Sequence, residues 1–262
     1  MLVTITGAYK NAGDHLIGDR ARSLLRAYCS DEIVNVDRRS ISSDSYALFN
    51  SSRAVILTGG PAWQAETYPK IYNIDLSRVS VPVVPFGLGW MGGLDESPEA
   101  FSFSSGTLEF MREVHKRISA SSVRDVLTQR VIQAQGIKNV NMTGCPAWYD
   151  LNHIARDYSH LSKVKKIVFS MPAKPQENVR EVISYISKKY PFARKVMAFH
   201  HGWQPGNTPA GQIMEAWNRD IAKFGKLRGW SHADLSNGLQ KFAELYTAAD
   251  FHIGYRVHAH IY

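Results

Sequence analysis

Short apolar runs recur along the chain, and most of them close on a glycine. Residues 2–8 (LVTITGA) predict a buried strand entering a turn. Asp14 then precedes a helical pattern that puts Ile17, Ala21, Leu24, Leu25 and Tyr28 on one stripe. A short strand at 32–37 and a helix near 43–51 follow. Two continuous apolar runs come next, RAVILTGG at 53–60 and VPVVPFGLGW at 81–90. Such runs, apolar on both faces, are the mark of buried parallel strands. A helix over about 104–117 leads to a strand near 118–123, and a helix over 125–135 stops at Gly136. A strand at 139–143 then meets Gly144-Cys145-Pro146.

The stretch 150–163 (DLNHIARDYSHLSK) is polar and breaks the alternation, so it marks a domain boundary near residue 155. Alternation restarts with strand KKIVFS (165–170), helix 176–189 and strand KVMAFH (195–200). Helices at about 209–224 and 236–248 precede a last strand, DFHIGY (250–255). Strands alternating with helices predict an α/β protein, with a doubly wound parallel sheet in residues 1–155 and a second α/β domain in 156–262. Ligands of such sheets bind at the carboxyl ends of the strands. The segment RVHAHIY should continue into a covering helix of about 10 residues or more. The chain stops at Tyr262, so the second domain is expected to be incomplete.

Composition narrows the class. Of 262 residues, 44% are hydrophobic and 21% charged, which excludes a disordered, collagen-like or small disulfide-stapled chain. Residues 1–155 balance 15 basic against 15 acidic side chains, whereas 156–262 carry 16 against 8. The whole surplus of +8 therefore sits in the second half, together with most of the histidines. That half expects an anionic partner, such as a phosphorylated small molecule or an anionic lipid, although most single lysines read as solvated surface. The basic residues are spread over helices and strands without a recognised motif, so nucleic acid is not an expected partner. No apolar run approaches the roughly 18 residues of a membrane span, and MLVTITGAYK lacks the basic start of a signal peptide. Cys29 and Cys145 lie far apart without metal-ligand spacing. A reducing, cytoplasmic setting is the expectation, with peripheral association at the inner membrane face as one use of the charge.

Several loops could carry chemistry. Asn11-Ala12-Gly13-Asp14 follows the first strand. Locally it reads as a turn with Asp14 as helix N-cap; functionally it could set helix amides against an anion or a sugar hydroxyl. It is not a GxGxxG fingerprint. Gly59-Gly60-Pro61 and Gly87-Leu88-Gly89 serve turn geometry and permit close approach of a ligand. Asp125 reads as an N-cap. Arg124, at the end of a strand, is suited to bidentate binding of a carboxylate or phosphate. Arg256-Val257-His258 follows the last strand within the basic half. Its arginine and histidine can reach one anion, and a histidine near its ordinary pKa can move a proton. His260 receives no role. His200-His201 could line the same cleft but read more simply as loop filler, and no metal site is expected. Trp63, Trp90, Trp148 and Trp203 follow strand ends, where tryptophan either stacks on sugars or packs in a core.

The ordered set NAGDHLIG, LTGGPAW, PFGLGW, SSVRD, QAQGIKNV, TGCPAW and ELYTAADFHIGYRVHA resembles the polysaccharide pyruvyl transferase family from residue 4 onward. The resemblance implies a glycosyltransferase-B-like enzyme with two Rossmann-like domains, built on parallel sheets, and a cleft between them. It implies transfer of pyruvate from phosphoenolpyruvate to a saccharide or lipid-linked saccharide, with release of phosphate and no cofactor. It assigns donor contacts to Arg124, Arg256 and His258, and an acceptor-side role to Asn11, Gly13 and Asp14. His258 and Asp14 are then the expected proton-transfer groups, with Gly59, Gly60 and Val257 beside the substrates. Two departures stand out: Pro61 where the family often has a third glycine, and no segment after the Arg-x-His helix. The alternatives are a nucleotide-sugar glycosyltransferase of the same architecture and a carbohydrate-binding relative without catalysis.

Overall fold

The computed structural model describes residues 1–7, 11–93, 96–155, 157, 163–203 and 208–262. The predicted boundary stretch 150–163 lies partly outside these residues. In the first part of the chain the elements are β1 (Leu2–Thr6), α1 (Ala12–Tyr28), β2 (Ile33–Asp37), α2 (Ser45–Ser51), β3 (Val55–Thr58), α3 (Thr67–Lys70) and β4 (Val83–Phe86). They continue with α4 (Ser105–Lys116), β5 (Ser121–Val123), α5 (Val126–Ala134) and β6 (Val140–Met142). The second part holds β7 (Lys166–Ser170), α6 (Val179–Lys189), β8 (Arg194–Phe199) and α7 (Pro209–Lys226). It ends with β9 (Trp230–Asp234), α8 (Leu239–Thr247), β10 (Phe251–Gly254) and α9 (Val257–Ile261). Contacts divide the chain into two compact units, Met1–Gly7 with Ile17–Ile154, and Ala8–Leu16 with Ala155–Tyr262.

In the first unit four parallel strands lie in the order β2-β1-β3-β4. The apolar runs become strands because both faces of the sheet are covered: every residue of β1 and β3 is buried. Val3, Ile5, Val55 and Leu57 join Phe49, Ile74, Met111 and Ile132 in one core. A second, two-stranded sheet pairs β5 with β6 in parallel. It is joined to the loop after β4 by the Leu88–Val123 bridge and by Gly87 N–H donating to Ser122 O at 2.9 Å.

The second unit repeats the plan with four parallel strands in the order β10-β7-β8-β9. Ile167, Phe169 and Met197 pack with Ile183, Ile186, Ile221 and Trp230. Among the described residues no helix is long and apolar enough to cross a membrane.

The sequence expectations meet four corrections. Helix α1 begins at Ala12, so Asp14 lies in its first turn rather than capping it. Asn11 takes the capping position: its Oδ1 accepts Gly13 N–H at 3.2 Å, and its carbonyl accepts Asp14 N–H at 3.1 Å. Tyr28 leaves the apolar stripe and is exposed at the last turn of α1. Strand β9 escapes the apolar-run reading because it is an edge strand whose Ser231 and His232 are both exposed. Finally, Trp63 and Trp90 pack in the core of the first unit, and the Trp203 indole stacks on His232 at 4.5 Å. Only Trp148 of the four is largely exposed.

Ile5 is fully buried and flanked by paired strands on both sides. Ile5→Ala is expected to lower the unfolding free energy by about 2–5 kcal/mol, measured by urea denaturation with far-UV circular dichroism.

Candidate functional site

In the second unit the carboxyl ends of β7, β8 and β10 converge on one guanidinium. Chain geometry there starts from Gly254, whose φ is 141°. A Cβ at this position would overlap Ser170 on the adjacent strand, so only glycine lets β10 close on β7. The chain then turns under hydrogen bonds to the same serine: Tyr255 N–H donates to Ser170 O at 3.0 Å, and Arg256 N–H to Ser170 Oγ at 3.2 Å.

The Arg256 side chain runs back over β7. Its Nε donates to Met171 O at 2.8 Å, and its Nη2 to His201 Nδ1 at 3.3 Å. Its Nη1 has no hydrogen-bond acceptor among the described residues. Burial pushes the guanidinium down to about 10, against the opposing pull of Tyr246 and Asp14. It is therefore still a cation at neutral pH, in surroundings that compensate its charge incompletely.

Three histidines near it, His200, His201 and His252, are neutral at neutral pH. His200 is 1% exposed, and its Nε2 lies 2.7 Å from Tyr246 Oη. Burial, with Arg256 next in effect, pushes its pKa down to about 2. The same two causes bring His201 to about 4. His201 Nδ1 must be an acceptor, since guanidinium has no lone pair, so its proton resides on Nε2. His252, whose Nε2 lies 3.1 Å from Ser170 Oγ, falls to about 4, chiefly by burial. His200-His201 is thus not loop filler. The apolar-run reading could not tell which strand-end loop would be covered by Tyr246 of α8.

Residues 11–16 belong to this unit. Ala12 N–H donates to His200 O at 3.2 Å. The first amides of α1 are therefore engaged within the protein, by His200 and Asn11, rather than open to an anion. What this turn offers instead is the Asp14 carboxylate, which acts on Arg256. It also offers a close seat for His258: a Cβ on Gly13 would overlap that imidazole. Asn11, Gly13, Asp14, Arg256 and His258 thus form one neighbourhood, whereas Val257 is 61% exposed at the start of α9. His260 bonds Gly254 O at 3.0 Å. A small recess beside Arg256 is lined by Ala173, Phe199, His201, Met214 and Asn218. Asn218 was not legible in the sequence as a site residue. It is buried, donates to Trp203 O at 3.3 Å, and leaves its Oδ1 without a partner among the described residues.

The first unit holds the other candidates. Asp125 caps α5 by accepting Thr128 N–H at 2.7 Å, and its second oxygen accepts Arg124 Nε–H at 3.0 Å. Arg124 Nη2 donates to Trp90 O at 3.2 Å. Gly89 is needed here because a Cβ would overlap this guanidinium. Gly60 carries a φ of 85° and has open space beside it, whereas Gly59 is pressed against Ile17. Among the described residues no three His, Cys, Asp or Glu side chains gather as metal ligands would.

A family model for polysaccharide pyruvyl transferases matches residues 11–262. The chain belongs to the polysaccharide pyruvyl transferase family. The matched range includes the Asn11–Asp14 turn, Arg124 and the Arg-x-His segment. A search of curated proteins gives no match. Among solved structures, the UDP-GlcNAc 2-epimerase of Neisseria meningitidis aligns at 11% identity and a TM-score of 0.49, covering 97% of this chain and 76% of that one. HepE of Anabaena, solved with UDP and glucose, aligns at 13% identity and 0.48, covering 96% and 72%. A Klebsiella pneumoniae protein of uncharacterised function aligns at 11% and 0.41, covering 88% and 92%. The assignment rests on the family match.

His200 makes stability depend on pH. Its folded pKa lies far below the unfolded value near 6.5, so below that pH the unfolded chain takes up a proton that the folded one refuses. Between pH 6 and 4 this residue alone should remove about 1.4 kcal/mol of stability per pH unit. Urea titrations across that range are expected to show a shallower slope for His200→Gln than for the unaltered protein.

Proposed function

We propose that this protein transfers pyruvate from phosphoenolpyruvate to a saccharide, closing a ketal across two hydroxyls and releasing phosphate. The observation that carries this reading is the buried, under-compensated guanidinium of Arg256 with His258 and Asp14 beside it. In a family that moves pyruvyl groups onto polysaccharides, a small anion bearing both phosphate and carboxylate suits such a cation. A desolvated arginine binds an incoming anion more strongly than an exposed one does, because little water screens the pair.

The chemistry balances without an oxidant or reductant. Protonation of the donor's methylene carbon makes it a methyl group and leaves cationic character at C2. A sugar hydroxyl adds to C2 and loses its proton. Phosphate then leaves with the C2–O bond electrons, and a second hydroxyl closes the ketal. Of the two hydroxyl protons, one is accounted for in the new methyl group and the other in the released phosphate. His258 is the group assigned to deliver the first proton, and Asp14 the group assigned to accept one from a hydroxyl. Arg256 holds the donor's anionic end. By the family resemblance Arg124 is a further donor contact, and its bond to Asp125 fixes the direction of its guanidinium.

The test is phosphate release from phosphoenolpyruvate in the presence of a panel of saccharide and lipid-linked saccharide acceptors. His258→Asn is expected to lower kcat by about 10²–10⁴-fold. Arg256→Ala and Arg124→Ala are expected to lower kcat/KM for phosphoenolpyruvate. Wild-type rates in the Arg256 and His258 variants would sink the site assignment. Absence of turnover with every acceptor, together with turnover of a nucleotide sugar, would sink the reaction.

A further inference from the structure

The donor chemistry uses one arginine of the second unit, and the surplus of positive charge lies elsewhere. The register of the sheet shows where. Phe251, Ile167, Lys195 and Trp230 stand side by side at the starts of β10, β7, β8 and β9. This row is the edge opposite the strand ends that hold Arg256. The loops entering β8 and β9 bring Phe192 and Leu227 to equivalent places, each three residues ahead of the paired Lys195 and Trp230. Phe192 is 100% exposed and Leu227 is 85% exposed.

Basic side chains surround these two tips. Lys188 and Lys189 close α6, and Lys223 and Lys226 close α7. Arg194 and Arg228 flank the tips directly, and both are exposed. Lysines at helix ends are partly explained by the helix dipole. The dipole does not account for Arg194, nor for two bare apolar side chains held out beside the charges. Asp250, a carboxylate at this edge, is engaged by backbone, accepting Lys165 N–H at 2.8 Å and Lys166 N–H at 2.7 Å.

The tips are braced. Buried Lys195 donates its ammonium to Tyr190 O at 3.0 Å and Ala193 O at 2.7 Å, which fixes the loop that carries Phe192. Arg228 Nη1 donates to Phe224 O at 3.1 Å, and its guanidinium lies over the Phe224 ring, which fixes the other loop. A rigid loop that presents phenylalanine at full exposure has no reason in the fold of this unit.

We propose that this edge docks on an anionic lipid bilayer, with Phe192 and Leu227 entering the headgroup boundary and the basic ring meeting lipid phosphates. Apolar tips gain by leaving water at such a surface, and basic residues gain from its negative potential. A soluble polyanion would satisfy the charges but leave Phe192 and Leu227 in water, which is why the bilayer is favoured.

The test is co-sedimentation of the full chain with phosphatidylcholine vesicles, with and without phosphatidylglycerol, at low and high salt. Binding is expected only with the anionic lipid and should weaken as salt rises. Phe192→Ser with Leu227→Ser should weaken it by more than about tenfold, and Arg194→Glu with Lys226→Glu by at least as much. Thermal unfolding of each variant confirms that these exposed positions leave the fold intact. Failure of the wild-type protein to sediment with anionic vesicles overturns the proposal. So does wild-type binding by the serine variant. Retention on heparin that the glutamate variant loses and the serine variant keeps, without vesicle binding, assigns the edge to a polyanion instead.

Discussion

Everything at the strand ends of the second unit depends on the contact between Gly254 and Ser170. Two neighbouring parallel strands approach there without a side chain on one of them, in a backbone conformation that disfavours any other residue. The serine then serves the next two residues, its carbonyl holding Tyr255 and its hydroxyl holding Arg256. Because Arg256 immediately precedes α9, the same contact sets where His258 stands. A methyl group at Gly254 would displace an arginine and a histidine that lie two and four residues downstream. The cost to the site would be disproportionate to the volume added.

The electrostatics follow from burial rather than from pairing. An ordinary structural arginine in a half-buried setting is met by a carboxylate, as Arg20 is by Asp150 in the first unit. Arg256 instead bonds a carbonyl and a neutral histidine. Desolvation lowers its pKa but leaves it charged, and burial, helped by the Arg256 charge, keeps His200 and His201 unprotonated. The result is a buried cation bonded to neutral acceptors, with the Asp14 carboxylate offsetting only part of its cost of burial. Such a group is costly in the empty protein and becomes favourable when an anion arrives, which distinguishes a binding arginine from a structural one.

Much of this was legible in the sequence. Buried parallel strands announce themselves as unbroken apolar runs, and β1, β3, β7 and β8 were found that way. Asp125 was recognised as a cap because one residue type in one position has one local explanation. Other features depend on what packs across the fold. Asn11 and Asp14 are both good caps in isolation, and only the actual helix start selects Asn11. Strand β9 reads as polar because its outer positions face water at a sheet edge. His200 resembles any loop histidine until α8 covers it, and Trp63 and Trp90 look like sugar platforms until the core closes over them. The pattern of a segment reports its own faces, and not which neighbour will lie on them.

The two edges of a parallel sheet differ in kind, and the second unit uses the difference. At the strand ends, glycines and short turns let backbone and side chains crowd a small volume, so one buried arginine suffices for an anion. At the strand starts the helices finish, with carbonyl-rich termini that tolerate lysine, and the incoming loops are free to carry exposed groups. Exposed charge placed there lies a strand's length from the Arg256 neighbourhood, beyond the Debye length of about 8 Å over which salt screens exposed charges. The +8 of the chain is therefore a property of a surface and not of the donor site. A surface whose cations surround two braced apolar tips asks for a partner that is anionic and apolar at successive depths, and a lipid headgroup layer has that profile.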